Sequence, residues 1–334
     1  MKAAVLRAPR DLRIEQSDPP VLAPDAVRVR VSIAGLCGTD YRIWSGDRPV
    51  RYPRIMGHEF VGVVEAVGAA VTTVRPGDRV AVEPNYSCGV CPLCREGNRN
   101  LCLARVAVGI DVDGCFAQSA SVPARCCRPV PGGASDEQLL LTEPLAVVVR
   151  AVSRGTPRPG ERAAVLGVGT LGLLALQVLR VRGARVLALG RTTKRFDLAR
   201  ELGAEATHRI GDGDLGAAGR AFSGREGVDL VVETAGTAEA VAHALELVRP
   251  GGRVVLTGLP HEPTSVSFFG VVRREVTILG SMIYQDEFPE AMRLLAAGQV
   301  RTQPLVTHRF ALDALDAAFA AHRDPASIKV AVVP

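Results

Sequence analysis

The densest chemistry in the chain lies between residues 88 and 102, where CGVCPLCREGNRNLC sets Cys88, Cys91, Cys94 and Cys102 at C-x2-C-x2-C-x7-C. Four thiolates this close can complete a tetrahedron around zinc, and four protein ligands leave no position for water or substrate, so the site reads as structural. Gly89, Pro92, Gly97 and Asn98 supply the turns such a loop needs. Iron–sulfur clusters also take four cysteines, but their runs spread or end differently, and zinc is the favoured metal. A second constellation is looser. AGLCGTDYRIW offers Cys37 and Thr39, PRIMGHEFVGVVEAVG offers His58 with Glu59 beside it, and LLTEPLAV offers Glu143. One thiolate, one imidazole and one carboxylate make three ligands and leave a fourth position open, the arrangement of a catalytic zinc. Taken singly, a lone cysteine is more often buried filler and a lone glutamate more often surface.

A third motif, VLGVGTLGLLAL, places Gly167, Gly169 and Gly172 as G-x-G-x-x-G after a predicted strand and at the start of a predicted helix. Such glycines let the backbone turn tightly and approach a pyrophosphate, whose charge sits among free N–H groups at the helix start. Thr170 and Leu171 lie inside the motif. The next strand, ARVLALG, should end about 20 residues on in an acid that binds the adenosine ribose of NAD. It ends instead in Gly190, followed by Arg191, Thr192, Thr193, Lys194 and Arg195. A missing carboxylate removes repulsion and an arginine offers a bidentate partner for a 2′-phosphate, so NADP is preferred over NAD. The competing reading makes Arg191 a solvated helix-start residue and the cofactor NAD.

These groups need a frame. At 334 residues the chain exceeds what one core usually organises, and two domains are expected. With 47% hydrophobic and 22% charged residues it is globular. The first ~145 residues carry short β-like runs (VRVRVSIAG, FVGVVEAVG, RVAVEP) broken by Gly and Pro signals, which predicts an irregular barrel-like domain. From residue 150, short apolar runs alternate with amphipathic segments, the pattern of βαβ units on a parallel sheet. GDGDLGAAG at 211–219 reads as a surface connection, and EFPEAMRLLAAG and ALDALDAAFAAH as helices.

MKAAVLRAPRDLRIEQ lacks the apolar core of a signal peptide, and no stretch offers the ~18 uninterrupted apolar residues of a membrane span, so a cytoplasmic protein is expected. Its eight cysteines should then be thiols, which favours metal over disulfides. The net charge of +5 comes from 40 basic and 35 acidic residues scattered along the chain. That is weak support for nucleic acid and suits an anionic cofactor.

Taken together, these segments closely resemble the zinc-dependent medium-chain alcohol dehydrogenases, in particular their threonine, sorbitol and sugar-alcohol branch. The resemblance rests on Gly57-His58-Glu59 with Gly62 and Gly68 downstream, PGDRV at 76–80, the cysteine quartet, EPL at 143–145 and the G-x-G-x-x-G, in this order over nearly the whole chain. It implies an α/β protein with a GroES-like catalytic domain at 1–144 and 283–334, a structural zinc lobe at 84–104, and a Rossmann domain at 145–282. It implies two zinc ions per chain. Cys37 and His58 ligate the catalytic one, with Glu143 or Glu59 as the remaining ligand, directly or through water. Thr234, Gly258 and Ser281 join the expected cofactor site. Thr39 stands where the family's proton-relay hydroxyl stands, whereas Arg42 replaces a histidine many relatives carry, and arginine cannot act as a base.

The expected function is hydride transfer between NADP(H) and a polar secondary alcohol or ketone (a polyol, sugar or cyclitol), in a homo-oligomer, dimer or tetramer, with no nucleic-acid or membrane partner. The chain's 4% aromatic content offers few walls for a greasy pocket. Two rivals stand beside it: a threonine-type amino-alcohol dehydrogenase using NAD, and a non-catalytic dinucleotide-binding protein that kept the fold. The intact Cys37, His58 and both glutamates argue against the second.

Overall fold

A computed structural model of the chain describes residues 1–130, 132–259 and 262–334. It divides into two compact units, Met1–Glu143 with Phe288–Gly298 and Thr302–Pro334, and Pro144–Glu287 with Gln299–Arg301.

In the first unit the alternating run VRVRV becomes β1 (Ala26–Leu36), with Val27, Val29 and Val31 buried and Arg28 and Arg30 between them. The chain then turns straight into α1 (Gly38–Ser45), which ends at Gly46 in the left-handed conformation, φ 91°. β2 (Glu59–Val67) pairs antiparallel with β1, placing Glu59 opposite Gly35. β3 (Arg79–Val82), β4 (Ser119–Pro123) and β5 (Cys127–Pro129) extend the sheet. The cysteine run forms a lobe of its own with a short helix at Pro92–Arg95. α2 (Thr142–Arg154) carries Glu143 in its first turn.

The second unit is a six-stranded parallel sheet. β6 (Arg162–Leu166), α3 (Thr170–Val181), β7 (Arg185–Gly190) and β8 (Ala206–Arg209) make its first half. α4 (Leu215–Ser223), β9 (Val228–Glu233), β10 (Val248–Leu256), α5 (Phe268–Arg273) and β11 (Thr277–Gly280) follow. The strands lie in the order β8-β7-β6-β9-β10-β11, so the direction of winding reverses between β6 and β9. Open α/β sheets bind ligands beyond the strand ends at such a reversal. Every residue of β9 is buried, which accounts for its continuous apolar run. One expectation fails here. The second half of GDGDLGAAG is not a connection but the start of α4, because the Asp214 side chain accepts the Ala217 N–H and caps a helix that buries Leu215 and Gly219.

The chain then returns to the first unit as β12 (Val306–Ala311), α6 (Leu315–His322) and β13 (Lys329–Val333). β13 lies antiparallel against β1, with Val330 opposite Leu36. The sheet order is therefore β5-β3-β2-β1-β13-β12, with β4 also paired to β1. This return brings the last strand beside the turn that carries Cys37. α6 packs on α1, with the Phe319 and Trp44 rings stacked at 5.2 Å.

Candidate active site

Cys37 lies between β1 and α1, and His58 and Glu59 open β2, so the two strand ends converge. The Cys37 thiol, the His58 imidazole and the Glu59 carboxylate each offer a ligand atom, and these atoms lie within 4.8 Å of one another. His58 and Glu59 are buried, and among the described residues His58 Nδ1 has no hydrogen-bond partner. Asp40 is wholly buried beneath them. Its carboxylate accepts the Cys37 N–H at 2.9 Å and the Gly57 N–H at 3.2 Å. Its Oδ1 lies 3.3 Å from His58 Nδ1, close enough for charge attraction but outside hydrogen-bond geometry. Burial alone would lower the His58 pKa, yet Asp40 and the Cys37 thiolate raise it well above the ordinary value. A pocket of anionic donors this deep favours a cation, and soft sulfur with imidazole and carboxylate suits zinc.

Glu59 is shaped by its neighbours. A Cβ on Gly35 would stand 2.4 Å from Glu59 Oε2, so the carboxylate fits against β1 only because residue 35 has no side chain. The same gap lets Lys329, on the far side of β1, reach Glu59 and form a buried ion pair. Lys329 Nζ also donates to the Leu36 carbonyl at 3.2 Å. Glu143 is buried as well but is not one of the three convergent donors. Its carboxyl is pushed up to about 7, by burial first and by Glu59 and Asp40, against the opposing pull of His58 and Lys329. Thr39 is partly exposed on α1.

The four cysteines of the lobe also converge, each Sγ within 4.8 Å of the others. The Cys91–Cys102 and Cys88–Cys102 sulfurs are 3.9 and 3.5 Å apart. Zinc–sulfur bonds of about 2.3 Å set tetrahedral edges of about 3.8 Å, so the cage has the right size. The N–H groups of Cys88 and Cys91 point at sulfurs, at 3.3 and 3.4 Å, which favours thiolate. The Cys91 thiol is lowered to about 6, chiefly by the N–H groups of Leu103 and Cys94. Cys94 rises to about 11 through loss of solvent and its neighbouring thiols.

In the second unit, a Cβ on Gly172 would fall 1.7 Å from the Gly167 carbonyl, so the turn between β6 and α3 closes only around glycine. The Thr234 hydroxyl at the end of β9 donates to the Leu166 carbonyl at 2.8 Å and pins this turn. Gly258 and Ser281 follow β10 and β11, with their N–H groups on the Glu233 and Leu256 carbonyls. Gly190 is buried, and a Cβ there would meet Val168 at 2.6 Å, so an acid at this position has no room. Arg195 Nη1 donates to the Val168 carbonyl at 3.1 Å, bringing a guanidinium against the Gly-rich turn. Arg191, Thr192 and Lys194 are exposed. Arg191 also lines an open cavity with Asp214, Glu239, His243 and Glu246.

Three important side chains escaped the sequence reading. Asp40 could have been found as an acid three residues after Cys37, and Lys329 as the one charge inside the apolar run SIKVAVV. Glu233 ends β9 wholly buried, and its Oε1 accepts the Ala235 and Gly236 N–H groups at 2.6 and 2.8 Å.

A sheet that winds both ways from a Gly-rich turn, joined in one chain to a β-rich unit with one open and one four-cysteine donor set, defines a zinc-binding, dinucleotide-dependent oxidoreductase. Residues 23–132 match the alcohol dehydrogenase GroES-like domain and residues 170–297 the zinc-binding dehydrogenase domain. The sorbitol dehydrogenase of Bacillus subtilis is 34% identical over 322 residues, covering 94% of this chain and 91% of its own. A crystal structure from Sinorhizobium meliloti, described as a zinc-binding dehydrogenase bound to NADP, has a TM-score of 0.96 at 34% identity and covers 100% and 99% of the two chains. The rspB alcohol dehydrogenase of Escherichia coli, complexed with NADH, has a TM-score of 0.94 at 31% identity and the same coverage. The chain belongs to the zinc-binding medium-chain alcohol dehydrogenase family. It is a zinc-dependent alcohol dehydrogenase acting on CH–OH donors. Among the described residues, no helix is long and apolar enough to cross a membrane.

Proposed function

We propose that the protein is a cytoplasmic, NADP-preferring dehydrogenase of polar secondary alcohols. Residues 1–144 and 283–334 carry catalysis, and residues 145–282 bind the dinucleotide. The convergence of Cys37, His58 and Glu59 within 4.8 Å is the observation that carries this reading. Zinc, when bound, supplies Lewis acidity toward an alcohol oxygen, and the dinucleotide supplies the hydride acceptor. The chain's own part is to prepare that site. Asp40 steadies the imidazole and the Cys37 turn, Lys329 balances the Glu59 charge, and Thr39 holds the departing alcohol proton. Glu143, with its raised pKa, is poised to exchange a proton near neutral pH.

The NADP preference is supported by the missing room for an acid at Gly190 and by Arg191 and Arg195 around it. Thr170, Leu171, Thr192, Lys194, Thr234, Gly258 and Ser281 complete the proposed cofactor contacts, and Cys88, Cys91, Cys94 and Cys102 hold the second zinc. A homo-oligomer fits the short edge strand β11 and the adjacent α5, where Phe268, Phe269 and Val272 are 68%, 73% and 75% exposed.

The test is a purified enzyme assayed with NADP and NAD against sorbitol, xylitol, myo-inositol and L-threonine, with metal content measured in parallel. NADP-linked oxidation of a polyol by protein holding two zinc ions is expected. Full activity with a single zinc, or preference for NAD with L-threonine, would overturn it.

A further inference from the structure

The charges around α1 are unbalanced in a way the dehydrogenase chemistry does not explain. Asp40 and Ile43 are its buried residues, and Thr39 and Arg42, three apart, share the face next to them and are both partly exposed. After Gly46 the chain doubles back, and the Arg48 N–H donates to the Arg42 carbonyl at 2.9 Å, which returns a second partly buried arginine to the first. Among the described residues, neither guanidinium has a hydrogen bond or ion pair. Arg10 and Arg323 lie over the Trp44 and Tyr41 rings of the same helix.

Four arginines thus surround this helix, and its nearby acids are engaged elsewhere. Asp40 is occupied by the Cys37 and Gly57 N–H groups and by His58. Asp47 accepts the Ser45 hydroxyl at 2.8 Å. Elsewhere the chain matches such arginines with acids: Arg54 with Asp113, Arg128 with Glu83, Arg150 with Glu287 and Arg253 with Glu161. Arg42 also gains from lying in the last turn of α1, where the helix dipole favours cations. That argument does not extend to Arg48, which lies beyond the helix.

Two partly desolvated guanidinium groups without a counter-charge, with Arg42 one turn from Thr39 on α1, are suited to a planar or tetrahedral anion. We propose that the alcohol substrate is itself an anion, a polyol bearing a carboxylate or phosphate, and that Arg42 and Arg48 hold that group while Thr39 and the Cys37–His58–Glu59 donors face the reacting carbon. This rests on the dehydrogenase reading above and narrows its substrate class. It also gives Arg42 a purpose that proton transfer cannot.

The test compares D-gluconate, sorbitol 6-phosphate and sorbitol on the zinc-loaded enzyme, by kcat/KM and by the shift in Tm each produces without turnover. At least one anion is expected to exceed sorbitol tenfold or more in kcat/KM and to raise Tm where sorbitol does not. Which anion does so separates carboxylate from phosphate. In Arg42→Ala and Arg48→Ala that anion-to-sorbitol ratio should fall by about ten- to a hundredfold, mainly through KM, and the Tm shift should disappear. Equal treatment of sorbitol and both anions overturns the proposal while leaving the dehydrogenase reading intact. So does an Arg42→Ala enzyme whose NADP affinity falls while its anion-to-sorbitol ratio stays unchanged. Anion binding that depends on Arg42 but leads to oxidation of neither anion, while sorbitol is oxidised, also overturns the proposal, because the bound anion is then no substrate.

Discussion

Replacing Lys329 by methionine keeps most of the side-chain volume and removes the cation paired with Glu59. Both partners are almost completely enclosed, Lys329 at 4% exposure and Glu59 at 1%. They meet across Gly35, so no solvent fills the place of a lost charge. Removing one member of a buried ion pair leaves the other unpaired in a low-dielectric site, at a cost of about 3–5 kcal/mol. The remaining ammonium bond to the Leu36 carbonyl is also lost. In zinc-stripped protein the full effect is expected, seen as a lower urea midpoint for the first unit with an unchanged m-value. In zinc-loaded protein the loss should be smaller, because metal supplies the counter-charge that lysine no longer does. Lys329→Met should also retain zinc more tightly against a chelator, since Glu59 is no longer shared. Lys329→Arg, which keeps the charge, separates this from a packing effect and should recover part of the stability. Equal urea midpoints for the wild type and Lys329→Met in zinc-free protein would refute the reasoning and mean that the pair contributes nothing to the fold.

The remaining expectations divide the molecule by role. His58→Ala should abolish turnover with little loss of folded protein, whereas Cys94→Ser should chiefly lower Tm; metal analysis should show one zinc missing in each, and an inactive but equally stable Cys94→Ser would reverse the two assignments. If Arg191 holds the 2′-phosphate as proposed, Arg191→Ala should lower the NADP-to-NAD ratio of kcat/KM by about tenfold or more through loss of a charge-assisted bond; an unmoved ratio would refute that role for Arg191. Glu233→Ala removes the buried acceptor that holds the Ala235 and Gly236 N–H groups at the end of β9. It should weaken NADPH binding at least tenfold by fluorescence titration, while Glu233→Gln, which keeps an acceptor, should bind nearly as the wild type does.

What could be read from sequence depended on how far along the chain a group's partners lie. The cysteine cage spans residues 88–102 and the Gly-rich turn residues 167–172, so spacing alone exposes both, and their chemistry fixes the residue types. The helix at Leu215–Ser223 was hidden because glycines dominate its start, and the deciding feature is a single capping bond from Ala217 to Asp214. The missing acid at Gly190 was visible, but not its cause: Val168 fills the space a side chain would occupy. A Gly190→Asp exchange therefore tests packing as well as cofactor choice, which makes Arg191 the cleaner probe.

The choice between Glu59 and Glu143 shows where spacing stops being informative. Each is a glutamate in a plausible motif, and nothing local distinguishes them. The structure separates them through residues that are remote in sequence, since Gly35 opens the space and Lys329, 270 residues beyond Glu59, crosses it. Burying a carboxylate without a partner is costly, and the Lys329 ammonium supplies that partner for Glu59. Glu59 thus meets the Lys329 ammonium on one side and the Cys37 and His58 donors on the other. Glu143 has burial as its largest influence and two carboxylates, Glu59 and Asp40, adding to it, and it is held instead near the point where it gives up a proton. Two glutamates that look interchangeable in the sequence thus sit in different surroundings, one paired with the lysine of the last strand beside Cys37 and His58, the other enclosed where burial raises its pKa.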